Sequence, residues 1–154
     1  MKQVTGDLIE MAKLGYFDVI VHGCNCFCTM GAGIAKQIKA EFPEAYAIDC
    51  LTDSGDKNKL GTINYVYIPE YNLYVVNAYT QYDYRSYKDP KPCDYFAIRK
   101  VFSLINRQSR LLNPHPRIGY PKIGAGLAGG NWDAISQIID RELEGLDHTL
   151  VVLP

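Results

Sequence analysis

The stretch Arg117-Ile118-Gly119-Tyr120-Pro121-Lys122-Ile123-Gly124-Ala125-Gly126-Leu127-Ala128-Gly129-Gly130 decides the fold. A short apolar run passes straight into a glycine-rich turn that leads toward a helix. The chain makes the same move earlier, from Val19-Ile20-Val21-His22-Gly23-Cys24-Asn25 on to Met30-Gly31-Ala32-Gly33-Ile34-Ala35. Glycine allows φ > 0 and close backbone approach, so such turns wrap N–H groups around phosphate. A single loop of this kind is as well explained by a tight strand-to-helix turn. Gly31-Ala32-Gly33 is also no dinucleotide fingerprint, because Lys36 stands where the third glycine would be. Two loops at equivalent places predict a clamp on a ligand carrying two phosphates.

Working outward, Lys2–Val4 reads as a short strand and Gly6-Asp7-Leu8-Ile9 as the opening of a helix. Val19–Gly23 is continuously apolar, the pattern of a strand covered on both faces. Ile34, Ala35, Ile38 and Phe42 recur at helical spacing, and Pro43 predicts the end of that helix. Leu51–Leu60 reads as a loop. Thr62–Ile68 and Leu73–Tyr79 read as strands joined by a turn at Pro69-Glu70-Tyr71-Asn72. Thr80–Pro92 reads as a surface loop, Cys93–Leu111 as an amphipathic helix, and Arg117–Pro121 as a strand. Asn131–Leu143 reads as a helix with Asn131 as N-cap and Trp132 in the core, and Thr149–Leu153 as the last strand. Alternating strands and helices predict an α/β fold, helices on both sides of a mixed sheet. Ligands in such sheets bind outside the carboxyl ends of the strands, where both glycine loops fall.

At 154 residues the chain is expected to form one domain, 1–154, able to bury roughly two thirds of its unfolded surface without disulfides. A formal net charge of -1 argues against a broad nucleic-acid surface. No run approaches the ~18 apolar residues of a membrane span, and no signal sequence opens the chain. Five cysteines, an odd number, predict a cytoplasmic protein with reduced thiols. The segment holding Cys24, Cys26 and Cys28 lacks a nearby fourth ligand and the paired spacing of structural zinc, so no metal is expected. A catalytic thiolate there ranks below simple packing of small, soft side chains.

Gly6-Asp7-Leu8, Asn25, Met30-Gly31-Ala32-Gly33-Ile34-Ala35, Pro121-Lys122-Ile123-Gly124-Ala125-Gly126-Leu127 and Trp132 together resemble a macro domain, in order and along essentially the whole chain. The branch most resembled holds the yeast-type ADP-ribose-1″-phosphate phosphatases and the terminal ADP-ribose glycohydrolases, and Gly23-Cys24-Asn25-Cys26 points to the phosphatases. The resemblance implies a three-layer α/β/α fold with ADP-ribose over the strand ends. It implies that Asp7, with Leu8 beside it, meets adenine, although Asp7 also suits a helix N-cap. It implies that Asn25 meets the distal ribose, where a turn residue is the competing reading. Gly31, Ala32, Gly33 and Ile34 would give amides to the diphosphate and distal ribose. Ile123, Gly124, Ala125, Gly126 and Leu127 would close the other side.

The glycohydrolases of that branch use a lysine after the middle strand and an aspartate in the second glycine loop. Gln81 and Ala128 stand there in this chain, so a Schiff-base route on ribose is not expected. For a phosphatase, His22 and Asp83 are the expected catalytic pair, as nucleophile or general base with an orienting or acid partner. The competing reading of His22 is a hydrogen-bonded histidine at a strand end, and of Asp83 a solvated loop charge. Tyr79, Tyr82, Tyr84 and Tyr87 suit a cleft wall or ordinary packing, and Lys88 and Lys91 a solvated surface. The expected function is hydrolysis of ADP-ribose 1″-phosphate by a monomer without a cofactor. A non-catalytic ADP-ribose reader and an O-acetyl-ADP-ribose deacetylase are the alternatives.

Overall fold

The computed structural model describes residues 1–83, 93–126 and 128–154. In chain order the elements are β1 (Lys2–Thr5), α1 (Leu8–Lys13), β2 (Val19–Cys24), α2 (Gly33–Glu41), α3 (Pro43–Asp49), β3 (Ile63–Ile68), β4 (Leu73–Tyr79), α4 (Tyr95–Leu112), β5 (Arg117–Tyr120), α5 (Trp132–Glu142) and β6 (Asp147–Val152). The six strands form one sheet in the order β1-β6-β5-β2-β4-β3. All neighbours run parallel except β3, which pairs antiparallel with β4. The architecture is the mixed α/β sandwich that the alternating pattern predicts.

Side chains alternate across β2, so one strand feeds both layers. Val19 and Val21 join Ile98, Val101, Phe102 and Ile135 under α4 and α5. Ile20 joins Ile38, Phe42 and Ala45 under α2 and α3. Both faces of β2 are therefore covered, which explains its continuous apolar run.

α2 ends just before Pro43, as expected, and Pro43 also starts a second helix that the sequence reading did not include. α2 stops at Glu41, and Pro43 sits in the first turn of α3, where its missing N–H costs nothing. The loop expected over Leu51–Leu60 follows α3, and a 3-10 turn occupies Lys57–Lys59 within it. The turn between β3 and β4 is a 3-10 turn at Pro69–Tyr71 closed by Asn72 in the left-handed region.

A buried amide helps to anchor α3. Asn77 on β4 is fully buried, and its Nδ2 donates to the Ala45 carbonyl of α3 and to Asn64 Oδ1 of β3, both at 2.9 Å. Its Oδ1 lies 2.6 Å from His22 Nε2 of β2. One side chain thus ties three strands to a helix. Asn77→Leu keeps the volume but strands the Ala45 carbonyl and the His22 ring in the interior. Urea denaturation should show a loss of about 2–3 kcal/mol, the cost of unsatisfied buried polar groups.

Candidate functional site

The carboxyl ends of β2, β4 and β5 open into a cavity of about 670 Å³. One wall is the segment after β2: Asn25, Thr29, Met30, Gly31, Ala32, Gly33, Ile34 and Ala35. The other is the segment after β5: Pro121, Lys122, Ile123, Gly124, Gly126 and Ala128. Gly23, Cys24, Asp49, Thr80 and Gln81 complete the lining.

Each wall has a local cause. Asn25 holds the first turn, accepting from the Phe27 N–H at 2.8 Å and donating to Thr29 Oγ1 at 2.7 Å. The chain then enters α2 through Gly33 at φ +59°, and no side chain caps the helix at Ala32. The leading N–H groups of α2 accordingly stay available at the cleft wall, with the positive end of the helix dipole behind them. The second loop folds on itself, with the Gly130 N–H donating to the Gly124 carbonyl at 2.6 Å. A Cβ at Gly130 would stand 2.6 Å from that same oxygen, so only glycine fits.

Most residues expected at the ligand loops do meet here. Asn25, Gly31, Ala32, Gly33, Ile34, Ile123, Gly124 and Gly126 all line the cavity. Ala125 packs instead against the core beneath α4 and α5, and Leu127 lies outside the described residues. Asp7 caps α1, accepting from the Glu10 N–H at 3.0 Å, and Leu8 is buried in the core. Neither lines the cavity. Gln81 and Ala128, the two departures from the glycohydrolase pattern, both do.

His22 requires a correction. Even residues of β2 face α2 and α3, so its ring is turned into the interior, 1% exposed, and it is absent from the cavity lining. Both Asn77 donors are already committed, which leaves Oδ1 to accept and fixes the His22 hydrogen on Nε2. Burial pushes its pKa down to about 4, opposed by the Asn77 bond. The placement is that of the hydrogen-bonded strand-end histidine, not of a group that attacks phosphate. Asp83 is 7% exposed and lies beyond Gln81, whose Nε2 donates to the Asp83 carbonyl at 2.7 Å. The structure therefore does not bring His22 and Asp83 together in the cleft.

The three clustered thiols diverge. Cys24 Sγ approaches the His22 ring, Cys26 Sγ donates to the Gln81 carbonyl at 3.5 Å, and Cys28 Sγ donates to the Asp49 carbonyl at 3.3 Å. Burial, with Asp49 nearby, raises the Cys24 pKa well above its usual value, and burial raises Cys26 to about 11. Both are neutral thiols near pH 7, which fits packing rather than nucleophilic catalysis. Of the tyrosines, Tyr79 is buried and Tyr82 donates to the Gly55 carbonyl at 2.7 Å. Tyr84, Tyr87, Lys88 and Lys91 lie outside the described residues.

Asp49, Thr80 and Thr29 line the cavity with no sequence signal. Asp49 ends a helix that the Pro43 reading concealed. Its side chain is nearly inaccessible, 1% exposed, and accepts from the Tyr79 hydroxyl at 2.6 Å. Burial raises the Asp49 pKa, against the Tyr79 bond and the Lys59 charge, which lower it. Thr80 Oγ1 is buried and finds no hydrogen-bond partner among the described residues.

The sheet order, the two glycine loops and the cleft between them define a macro domain. A 17.5 kDa uncharacterised protein of Enterobacteria phage T4 is 35% identical over 157 residues, covering 98% of this chain and 95% of its own. An ADP-ribose 1″-phosphate phosphatase of Lodderomyces elongisporus is 25% identical over 164 residues, covering 99% and 98%. The macrodomain of Mycobacterium tuberculosis DarG superposes with a TM-score of 0.77 at 21% identity, covering 98% and 96%. No family model matches. The chain has the macro domain fold. No described helix is long and apolar enough to cross a membrane.

The neutral His22 sets a pH limit on the site. Its folded pKa lies below its unfolded value, so the stability it contributes is complete above about pH 6.5 and is lost as pH falls toward about 4. Ring-proton NMR should show a His22 midpoint near pH 4. A midpoint near the ordinary ~6.5 would place the ring in solvent.

Proposed function

We propose that the chain binds ADP-ribose derivatives between its two glycine loops and hydrolyses ADP-ribose 1″-phosphate to ADP-ribose and phosphate. The observation that carries the reading is the cleft. Two loops rich in backbone amides face each other across the strand ends, one of them opening into an uncapped helix. Amides and a helix N-terminus bind phosphate without a metal or net positive charge. The volume suits a nucleotide-sized ligand. The diphosphate would lie along Gly31–Ile34 and Gly124–Gly126, with Asn25 at the distal ribose. Asp7, whose second carboxylate oxygen retains acceptor capacity beyond the Glu10 bond, would meet adenine. Gln81 and Ala128 stand where the Schiff-base route of the glycohydrolases would have its lysine and aspartate.

The hydrolytic half of the proposal is supported by the full-length likeness to the Lodderomyces phosphatase. Five free cysteines support a reducing compartment, hence the cytoplasm. A binding module without turnover is the second reading, and the withdrawal of His22 into the core favours it. Fold alone does not choose between them.

Phosphorus NMR with ADP-ribose 1″-phosphate and no added metal should show inorganic phosphate growing over many turnovers. Calorimetry with ADP-ribose should show Asn25→Ala binding roughly tenfold more weakly, about 1.4 kcal/mol. Binding without phosphate release would select the module. The absence of both would overturn the proposal.

A further inference from the structure

Among the described residues lining the cleft, three carry titratable side chains: Cys24, Asp49 and Lys122. The hydrolysis proposed above needs a proton for its leaving oxygen. Lys122 is an exposed side chain on the outer wall. Cys24 is a thiol at the end of β2, buried against Asp49 and His22. Asp49 stands apart. It reaches the cleft from the last residue of α3, and its carboxyl is held in one orientation by the Tyr79 hydroxyl.

We propose that Asp49 is the catalytic acid that protonates the departing ribose oxygen, with Tyr79 as its positioning residue. The step rests on the hydrolysis reading and balances as follows. Water attacks phosphorus, the bond between phosphorus and O1″ breaks, and its electron pair stays on O1″. The Asp49 carboxyl gives its proton to that oxygen. The products are ADP-ribose, a phosphate carrying both water protons, and an Asp49 carboxylate. One proton then returns from phosphate or solvent to Asp49, which restores the acid. Thr80, directly after Tyr79 in the chain, lines the same cleft and supplies a buried hydroxyl with no partner among the described residues.

The surroundings suit a carboxyl that works in its neutral form. Burial favours the protonated acid, which a phosphate dianion tolerates and a carboxylate would repel. Lys59 is the charged group facing Asp49, and it is engaged with the Cys26 carbonyl at 3.1 Å. The titratable neighbours are Tyr79 on β4, Cys24 on β2, Cys26 and Cys28 in the following loop, and Tyr46 on α3 itself. Tyr79, Cys24, Cys26 and Tyr46 all carry raised pKa values and stay neutral at pH 7. Because the active form is protonated, turnover declines as pH rises through the Asp49 pKa. The Tyr79 donor favours the carboxylate, so removing it should move that decline to higher pH.

The test measures phosphate release and ADP-ribose affinity in wild type, Asp49→Asn and Tyr79→Phe. The expected result for Asp49→Asn is a kcat lowered at least about 100-fold with affinity within twofold. Tyr79→Phe should lower kcat about tenfold, with ADP-ribose affinity little changed, and shift the alkaline limb of kcat upward in pH. Should Asp49→Asn fail to fold, the Tyr79→Phe limb decides, and an unmoved limb overturns the assignment. An active wild type with an equally active Asp49→Asn overturns the assignment alone. A wild type that binds ADP-ribose but releases no phosphate overturns it together with the hydrolysis reading.

Discussion

The buried amide of Asn77 is the contact on which the site geometry rests. Its two donors hold α3 and β3, and its acceptor holds the His22 ring of β2. These bonds sit in the middle of the sheet, where no water competes and a lost partner costs its full desolvation. They set how far α3 reaches over the ends of β2 and β4. That reach carries Asp49 to the Tyr79 hydroxyl and to the cleft. The same bonds explain why a histidine next to a ligand loop is structural: its hydrogen, its orientation and its neutral state are all spent on holding two strands and a helix together.

The cleft is built mainly from backbone. Its lining is rich in glycine, and its side chains are mostly small or apolar. A chain with a net charge of -1 can present such a surface to a diphosphate because fixed dipoles, not mobile cations, supply the attraction. Fixed dipoles also cost little ordering entropy when the ligand arrives, since the loops are already closed by their own hydrogen bonds. Deeper in, the groups are neutral thiols, a buried hydroxyl and a carboxyl that burial biases toward its acid form. The outer part of the cleft thus suits charge, and the inner part suits proton exchange.

Much of the architecture was legible because its signals are local. Val19–Val21 is apolar on both faces because β2 is central, and the glycine loops follow strands that end at the cleft. The two glycine loops could be read for the same reason, since glycine at such turns answers a backbone need. Pro43 marked the end of α2 but not the start of α3, because proline is as much at home in the first turn of a helix as beyond its end. Losing α3 meant losing Asp49, which no local motif marks. His22 misled in a different way. Its place before the first glycine loop was visible, but not that the even face of β2 is covered by α2 and α3, nor that its ring is held by Asn77, distant in sequence and brought alongside only by the pairing of β2 with β4. Ala125 faces the core through the curl of the second loop, a feature set by the Gly130 and Gly124 backbones rather than by its own type.

The central claim is that the two glycine loops form one clamp. Amide NMR of the labelled protein during titration with ADP-ribose tests it most directly. The account predicts saturable shifts concentrated at Gly31, Ala32, Gly33, Ile34, Gly124 and Gly126, with both loops following a single binding curve. Shifts confined to one loop, or centred on another face of the sheet, would contradict it.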